Sequence, residues 1–172
     1  EDNGTRSHFG SRFVVFFFHN PSVMRCLTAF LTLSLGALDQ FRTDKVTSSY
    51  DPAKTTGKWY EVLFVDPGQI GASCQEFTNE FNATDGTFQQ HFSVHYGRIP
   101  FSQTYIFEQD PSGEKGVYTK YLTGAKALLQ LPTVVVDVTE SDGQYSLMTT
   151  YTKKVVVGKA SVQELRFSSR TP

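Results

Sequence analysis

Charge of one sign, long apolar runs and cysteine are all in short supply in this chain. Its 16 Lys and Arg against 17 Asp and Glu leave a formal net charge of −1, with no block of like charge. There is therefore no electrostatic footprint for nucleic acid, and no polyanionic partner is expected. A membrane-spanning helix needs about 20 uninterrupted apolar residues. Joining Phe13–Phe18 to the later run Leu27–Leu38 crosses His19-Asn20-Pro21-Ser22 and Arg25, so no span is expected. No Ser-His-Asp, Cys-His, Gly-x-Ser-x-Gly, His-Glu-x-x-His or phosphate-loop constellation is present, which leaves no catalytic residue to name and implies no cofactor. His91 and His95, four apart, would share a strand face about 13 Å from each other at about 3.3 Å per residue, too far to chelate one ion, so no metal site is expected either.

The two cysteines fall in different regions. Met24-Arg25 precedes the apolar stretch Leu27–Leu38, which contains Ala29, Ser34, Gly36 and Ala37. A short basic start, an apolar centre and a small-residue exit describe a secretory signal peptide. The chain then divides into an upstream or leader segment (1–23), the signal peptide (24–37), a flexible lead-in (38–49) and a folded domain (50–172). Secretion to the extracellular space follows from this reading. Cys26 goes with the signal, leaving Cys74 unpaired, either a buried inert thiol or half of a disulfide. Asn82-Ala83-Thr84 is a glycosylation sequon beside the turn dipeptide Asp85-Gly86, where a sugar on Asn82 would meet solvent.

What the chain has in quantity is aromatics, 15 Phe and 8 Tyr, which suit strands and an apolar interior. At 172 residues it is long enough for one sizeable core. From Lys58 onward β-branched and alternating runs are separated by turn signals. The runs are Lys58–Val65, Cys74–Asn82, Thr87–Tyr96, Gln103–Gln109, Gly116–Leu122, Thr133–Thr139, Tyr145–Thr152 and Val162–Ser168. Counted as seven strands, they call for an eighth around Ala125–Leu131. Eight antiparallel strands close up-and-down into a barrel without edges that can hold one small ligand.

Two short motifs flank these runs. Gly57-Lys58-Trp59-Tyr60-Glu61 opens the first with the only tryptophan, and Ser169-Arg170-Thr171-Pro172 closes the last. In a closed barrel the first and last strands are neighbours, so Trp59 and Arg170 can stack, a contact worth roughly 0.5–2 kcal/mol. This combination resembles the lipocalins, in particular the apolipoprotein D-like and bacterial members of the outer group. The likeness runs from about Tyr50 to Pro172, with a degraded counterpart of the middle motif in Thr139-Glu140-Ser141.

The resemblance implies an all-β, eight-stranded, up-and-down antiparallel lipocalin-type barrel after a disordered or signal-peptide segment, with Gly57, Trp59 and Arg170 as its structural motif. It also implies a carrier, not an enzyme, that binds a small hydrophobic ligand such as a fatty acid, sterol, retinoid or pigment. The chain stops before the helix and cysteine-bearing tail of such proteins, so an uncovered barrel wall would favour self-association. Strand alternation proposes the ligand-facing residues: Glu61 and Leu63 on the first strand; Phe77, Asn79 and Phe81 on the second; Phe88, Phe92 and Val94 on the third; and Tyr105, Phe107 and Tyr118 further on. The same side chains can instead simply fill a small barrel. An inward Glu61 in apolar surroundings would have a raised pKa and could bond a ligand's polar group; a register slip of one residue would put it in solvent. Two rivals remain. A lipocalin-scaffold enzyme would use a cysteine inside the barrel, for which Cys74 is the only candidate, and a cytosolic fatty-acid-binding-like protein would lack the leader and carry Arg or Arg-Tyr ligand groups near its C-terminus.

Overall fold

The computed structural model describes residues 42–66, 69–128, 130–156 and 160–172, with the backbone alone for 154–156 and 160–162. The expectations placed on residues 1–41, namely the leader, the signal peptide and Cys26, lie outside the described residues.

Eight strands form one closed barrel in chain order: β1 Gly57–Val65, β2 Ala72–Asn82, β3 Thr87–Tyr96, β4 Ile99–Gln109, β5 Val117–Leu122, β6 Gln130–Ser141, β7 Gln144–Val156 and β8 Ala160–Ser169. Every neighbouring pair is antiparallel, including β1 with β8. Burial alternates along β3, where Phe88, Gln90, Phe92 and Val94 are buried while Gln89, His91 and His95 are exposed. This is the period-two signature of a strand with one face inside. Turn chemistry fixes the hairpins. Asp142 and Gly143 both take positive φ (53° and 76°) between Ser141 and Gln144, the backbone that a two-residue loop matching strand twist requires.

The runs read from the sequence number eight, not seven. The extra strand expected around Ala125–Leu131 is absent: residues 126–128 are turn and β6 begins at Gln130. β4 starts at Ile99, four residues before the expected Gln103, because Pro100 interrupts the alternating pattern without breaking the ladder with His95.

Residues 44–49, expected in a flexible lead-in, form a short helix, α1 (Asp44–Ser49). Val46 on α1 is fully buried. The helix is anchored by Thr43 N–H donating to Val136 O (2.9 Å) and Thr43 Oγ1 donating to Asp137 Oδ1 (2.8 Å). Gly116 makes this fit feasible, since its φ is +74° and a Cβ there would lie 2.8 Å from Val46 Cγ1. Gly116→Ala should therefore destabilise the domain by about 1–3 kcal/mol, read as a lowered urea midpoint with unchanged slope.

The same end carries the motif at which the first and last strands meet. The Arg170 guanidinium lies 3.9 Å from the centre of the Trp59 ring. It donates to the carbonyls of Lys58 (2.9 Å), Thr56 (2.8 Å), Lys54 (3.2 Å) and Tyr145 (3.0 Å). Trp59 Nε1 donates to Thr55 O at 2.7 Å. Gly57, at φ +102°, leaves room for the guanidinium, since a Cβ there would sit 3.1 Å from Arg170 Nη1. Lys54 also pairs with Glu140 of the degraded middle motif at 2.8 Å. Among the described residues no helix is long and apolar enough to cross a membrane.

Candidate functional site: the barrel interior

Because α1 and the Trp59–Arg170 stack occupy one end, antiparallel order puts the β1–β2, β3–β4, β5–β6 and β7–β8 connections at the other. Four of the exposed large apolar side chains among the described residues gather in or beside those connections: Ile70, Ile99, Phe101 and Leu128. Phe101 faces Val94 across the β3–β4 ladder, on the inner face, yet is 46% exposed. This end is the barrel's mouth.

Below the mouth the interior is aromatic at the bottom and charged in the middle. Phe88 stacks on Phe107 with centroids 4.3 Å apart, and Tyr118 meets Phe88 edge-on at 5.1 Å. Phe77 stacks beside Trp59 at 6.2 Å. Burial pushes the Tyr118 hydroxyl pKa up to about 12. Above these rings Arg166, on β8, reaches three carboxylates: Glu61 at 3.1 Å, Asp66 at 3.1 Å and Glu164 at 3.0 Å. Lys120, on β5, pairs with Glu164 at 3.1 Å and lies 4.4 Å from the centre of the Tyr105 ring. β5 and β8 are not adjacent, so the Lys120–Glu164 pair spans the lumen.

The cluster's electrostatics pull in two directions. Burial pushes the Glu61 carboxyl up more than Arg166 and Lys120 pull it down, so its pKa is raised. Burial also pushes Glu164 up, but there Lys120 and Arg166 win and its pKa is lowered. Burial, aided by Arg166, lowers Lys120. A carboxyl whose folded-state pKa is raised binds its proton more tightly when folded, so its ionisation costs stability as pH rises through that pKa. Glu164, whose pKa is lowered, stabilises above its unfolded value and loses that contribution as pH falls. Glu61→Gln should accordingly raise the melting temperature at pH 7.5 relative to the wild type, and the gain should vanish on acidification below the unfolded glutamate value. A constant offset across pH would show that Glu61 does not carry the cost.

The proposed ligand-facing residues divide as follows. Glu61, Phe77, Asn79, Phe88, Phe92, Val94, Tyr105, Phe107 and Tyr118 are buried, and Phe81 is partly buried against the core. Leu63 is a correction. The β1–β8 register skips a residue between Glu61 and Leu63. This bulge sets Leu63 opposite Phe167 on the outer face and brings Phe64 opposite Arg166 on the inner one. Sequence reasoning missed Gln90, Lys120, Glu164 and Arg166, although parity alone reaches them: Lys120 follows Tyr118 by two, and Arg166 and Glu164 precede Arg170 by four and six.

For Cys74 the buried-thiol alternative fails. It is exposed at the β2 irregularity, with φ +54°, and precedes the buried Gln75. It is thus neither a buried thiol nor a cysteine within the barrel. His91 and His95 are exposed, and among the described residues no three His, Cys, Asp or Glu side chains are grouped to hold a metal ion. Asn82 is exposed, with Nδ2 donating to Asp85 Oδ2 at 3.0 Å.

The side chains leave a cavity of about 20 Å³, room for roughly one water molecule. Its walls include Glu61, Phe77, Phe88, Gln90, Phe107, Tyr118, Lys120, Met148 and Arg166. Small-ligand pockets run to about 300–1,000 Å³, so a ligand must displace flexible wall groups, of which Met148 and Lys120 are the longest unbranched.

No protein-family model matches the chain, and no curated protein matches it by sequence. Solved structures do match in three dimensions. Insecticyanin from the tobacco hornworm Manduca sexta superimposes with a TM-score of 0.55 at 14% identity, over 71% of this chain and 64% of that one. A siderocalin described as having dual ligand specificities gives 0.51 at 17% identity, over 69% and 74%. The odorant-binding protein from bovine nasal mucosa gives 0.51 at 14% identity, over 73% and 76%. The chain has the lipocalin fold. In this lipocalin barrel the Trp59–Arg170 closure lies at the end opposite the mouth, and the charged cluster lies between the two.

Proposed function

We propose that this lipocalin barrel is a carrier that takes a small, largely hydrophobic molecule into its interior through the mouth ringed by Ile70, Ile99, Phe101 and Leu128. The observation that supports it best is the closed barrel's interior, lined by stacked aromatic rings and carrying buried polar atoms without hydrogen-bond partners, among them Gln90 Oε1 and Asn79 Nδ2. Buried polar groups in native proteins are nearly always satisfied, and a ligand's polar group or the water it displaces would satisfy these. Carriage requires no reaction. The neighbouring structures named for odorant binding and for dual ligand specificities are consistent with this reading.

The test is uptake of the fluorescent apolar probe N-phenyl-1-naphthylamine. Saturable enhancement, reversed by an alcohol such as decanol, is the expected result, and a lack of saturable uptake would overturn the carrier reading. We propose further that the protein is secreted and glycosylated on Asn82. Expressed as the full chain in eukaryotic cells, it should be recovered from the medium shortened at its N-terminus and carrying a glycan that the Asn82→Gln variant lacks. An intact, unmodified chain retained in the cell overturns this.

A further inference from the structure

One nucleophile lines the cavity. Lys120 is 1% exposed, and among the described residues it is the only buried lysine: Lys45, Lys58, Lys115, Lys126 and Lys153 are exposed and Lys54 is half-buried. Lysines are almost never fully buried unless paired, and this one is paired on one side only by a carboxylate. Its Nζ donates to Glu164 Oε2 at 3.1 Å. On the other sides it meets rings, with the centre of Tyr105 at 4.4 Å and that of Phe107 at 6.0 Å. The side chain forms part of the cavity wall together with Met148, Phe88 and Phe107. A primary amine is therefore turned into the compartment that a ligand would fill.

The surroundings suit that amine to carbonyl chemistry. Burial lowers the Lys120 pKa, with Arg166 adding to the effect and Glu164 and Glu61 opposing it. At the surface the balance is reversed, since carboxylate hydrogen bonds from Glu140 and Glu76 raise Lys54 and Lys58. The interior amine thus gives up its proton more readily than those two, and a desolvated lysine is the form that attacks carbonyl groups. Glu164 Oε2 is within reach to take that proton. Space matters as well. The cavity of about 20 Å³ has room for roughly one water molecule, and a site that excludes water protects a hydrolysable adduct.

We infer that the interior site captures an apolar aldehyde as an imine on Lys120. The inference rests on the carrier reading and deepens it. The Lys120 ammonium passes one proton to Glu164, and the freed Nζ lone pair forms a bond to the aldehyde carbon as the C=O π bond opens onto oxygen. A second proton moves from nitrogen to that oxygen, giving a carbinolamine. Glu164 then returns its proton to the hydroxyl, the C–O bond breaks, water leaves and C=N forms. Ammonium and aldehyde have become iminium and water, with no electron gained or lost. The iminium carries the same single positive charge opposite Glu164, so the ion cluster keeps its balance. The aldehyde's chain lies over the Tyr105 and Phe107 rings that flank Nζ.

The test treats the full wild-type chain with limiting decanal and sodium cyanoborohydride, which reduces an iminium to a stable secondary amine, and maps the decyl group by peptide mass spectrometry. Lys120 should carry at least about tenfold more label than any other lysine, because binding in the barrel raises the local concentration of aldehyde at Nζ. Excess decanol, competing for the interior, should suppress the label on Lys120 and leave that on the exposed lysines unchanged. Label spread evenly over the exposed lysines, or label on Lys120 that decanol does not suppress, would overturn the aldehyde inference. Saturable uptake of N-phenyl-1-naphthylamine by the same preparation would then leave the carrier reading standing. Absence of both uptake and Lys120 label would overturn the two together. No variant has to fold for these outcomes to be read.

Discussion

Arg166→Leu should cost this domain about 3–5 kcal/mol, because removing the shared cation of a buried ion cluster leaves its carboxylates charged without the group that bridges them. Arg166 bridges Glu61, Asp66 and Glu164, and without it Glu164 would keep its pair with Lys120. The guanidinium also lies 5.5 Å from the centre of the Phe92 ring, so its loss removes a cation–π contact and packing as well. Urea denaturation at pH 7.5 should show a lowered midpoint. The deficit should shrink as pH falls, because protonating the stranded carboxylates removes the repulsion between them. Adding Glu61→Gln to Arg166→Leu should restore part of the loss, giving a coupling between the two sites well outside additivity. A cost under about 1 kcal/mol, flat with pH, would mean that water already screens the cluster.

That cluster is the part of the molecule the sequence revealed least. The strands were legible because their aromatic and β-branched residues alternate. The closed barrel was legible because a glycine-tryptophan start and an arginine end have an evident reason to meet. In β3 the alternation of Phe88, Phe92 and Val94 gave the inner face directly. In β5 and β8 the inward positions are held by Lys120, Glu164 and Arg166, and charged residues in a strand normally mark the solvent face. Only the parity counted from Tyr118 and Arg170 tells otherwise. Leu63 was misplaced for a different reason, since a bulge inverts facing without leaving a compositional mark. α1 escaped notice because its six residues are too few to show helical periodicity, and a single apolar residue, Val46, does its packing. These features depend on partners distant in sequence, and they are the ones that set the site's charge.

At the opposite end Trp59→Ala should cost a comparable about 3–5 kcal/mol, and for separable reasons. The indole is fully buried, stacks near Phe77 and gives its N–H to Thr55 O. Truncation leaves a cavity, an orphaned carbonyl and an Arg170 guanidinium without its aromatic face. Arg170→Lys separates these contributions. Lysine keeps the charge but cannot reproduce a planar fork donating to four carbonyls of the 52–58 segment and β7, so it should cost about 1.5–3 kcal/mol. Both variants should leave the affinity for N-phenyl-1-naphthylamine within about threefold of the wild type, because the ion cluster stands between the mouth and this closure. Stability lost with ligand affinity retained makes the Trp59–Arg170 end a closure and nothing more. An affinity that falls in step with stability would instead place the ligand deep against Trp59, below the ion cluster.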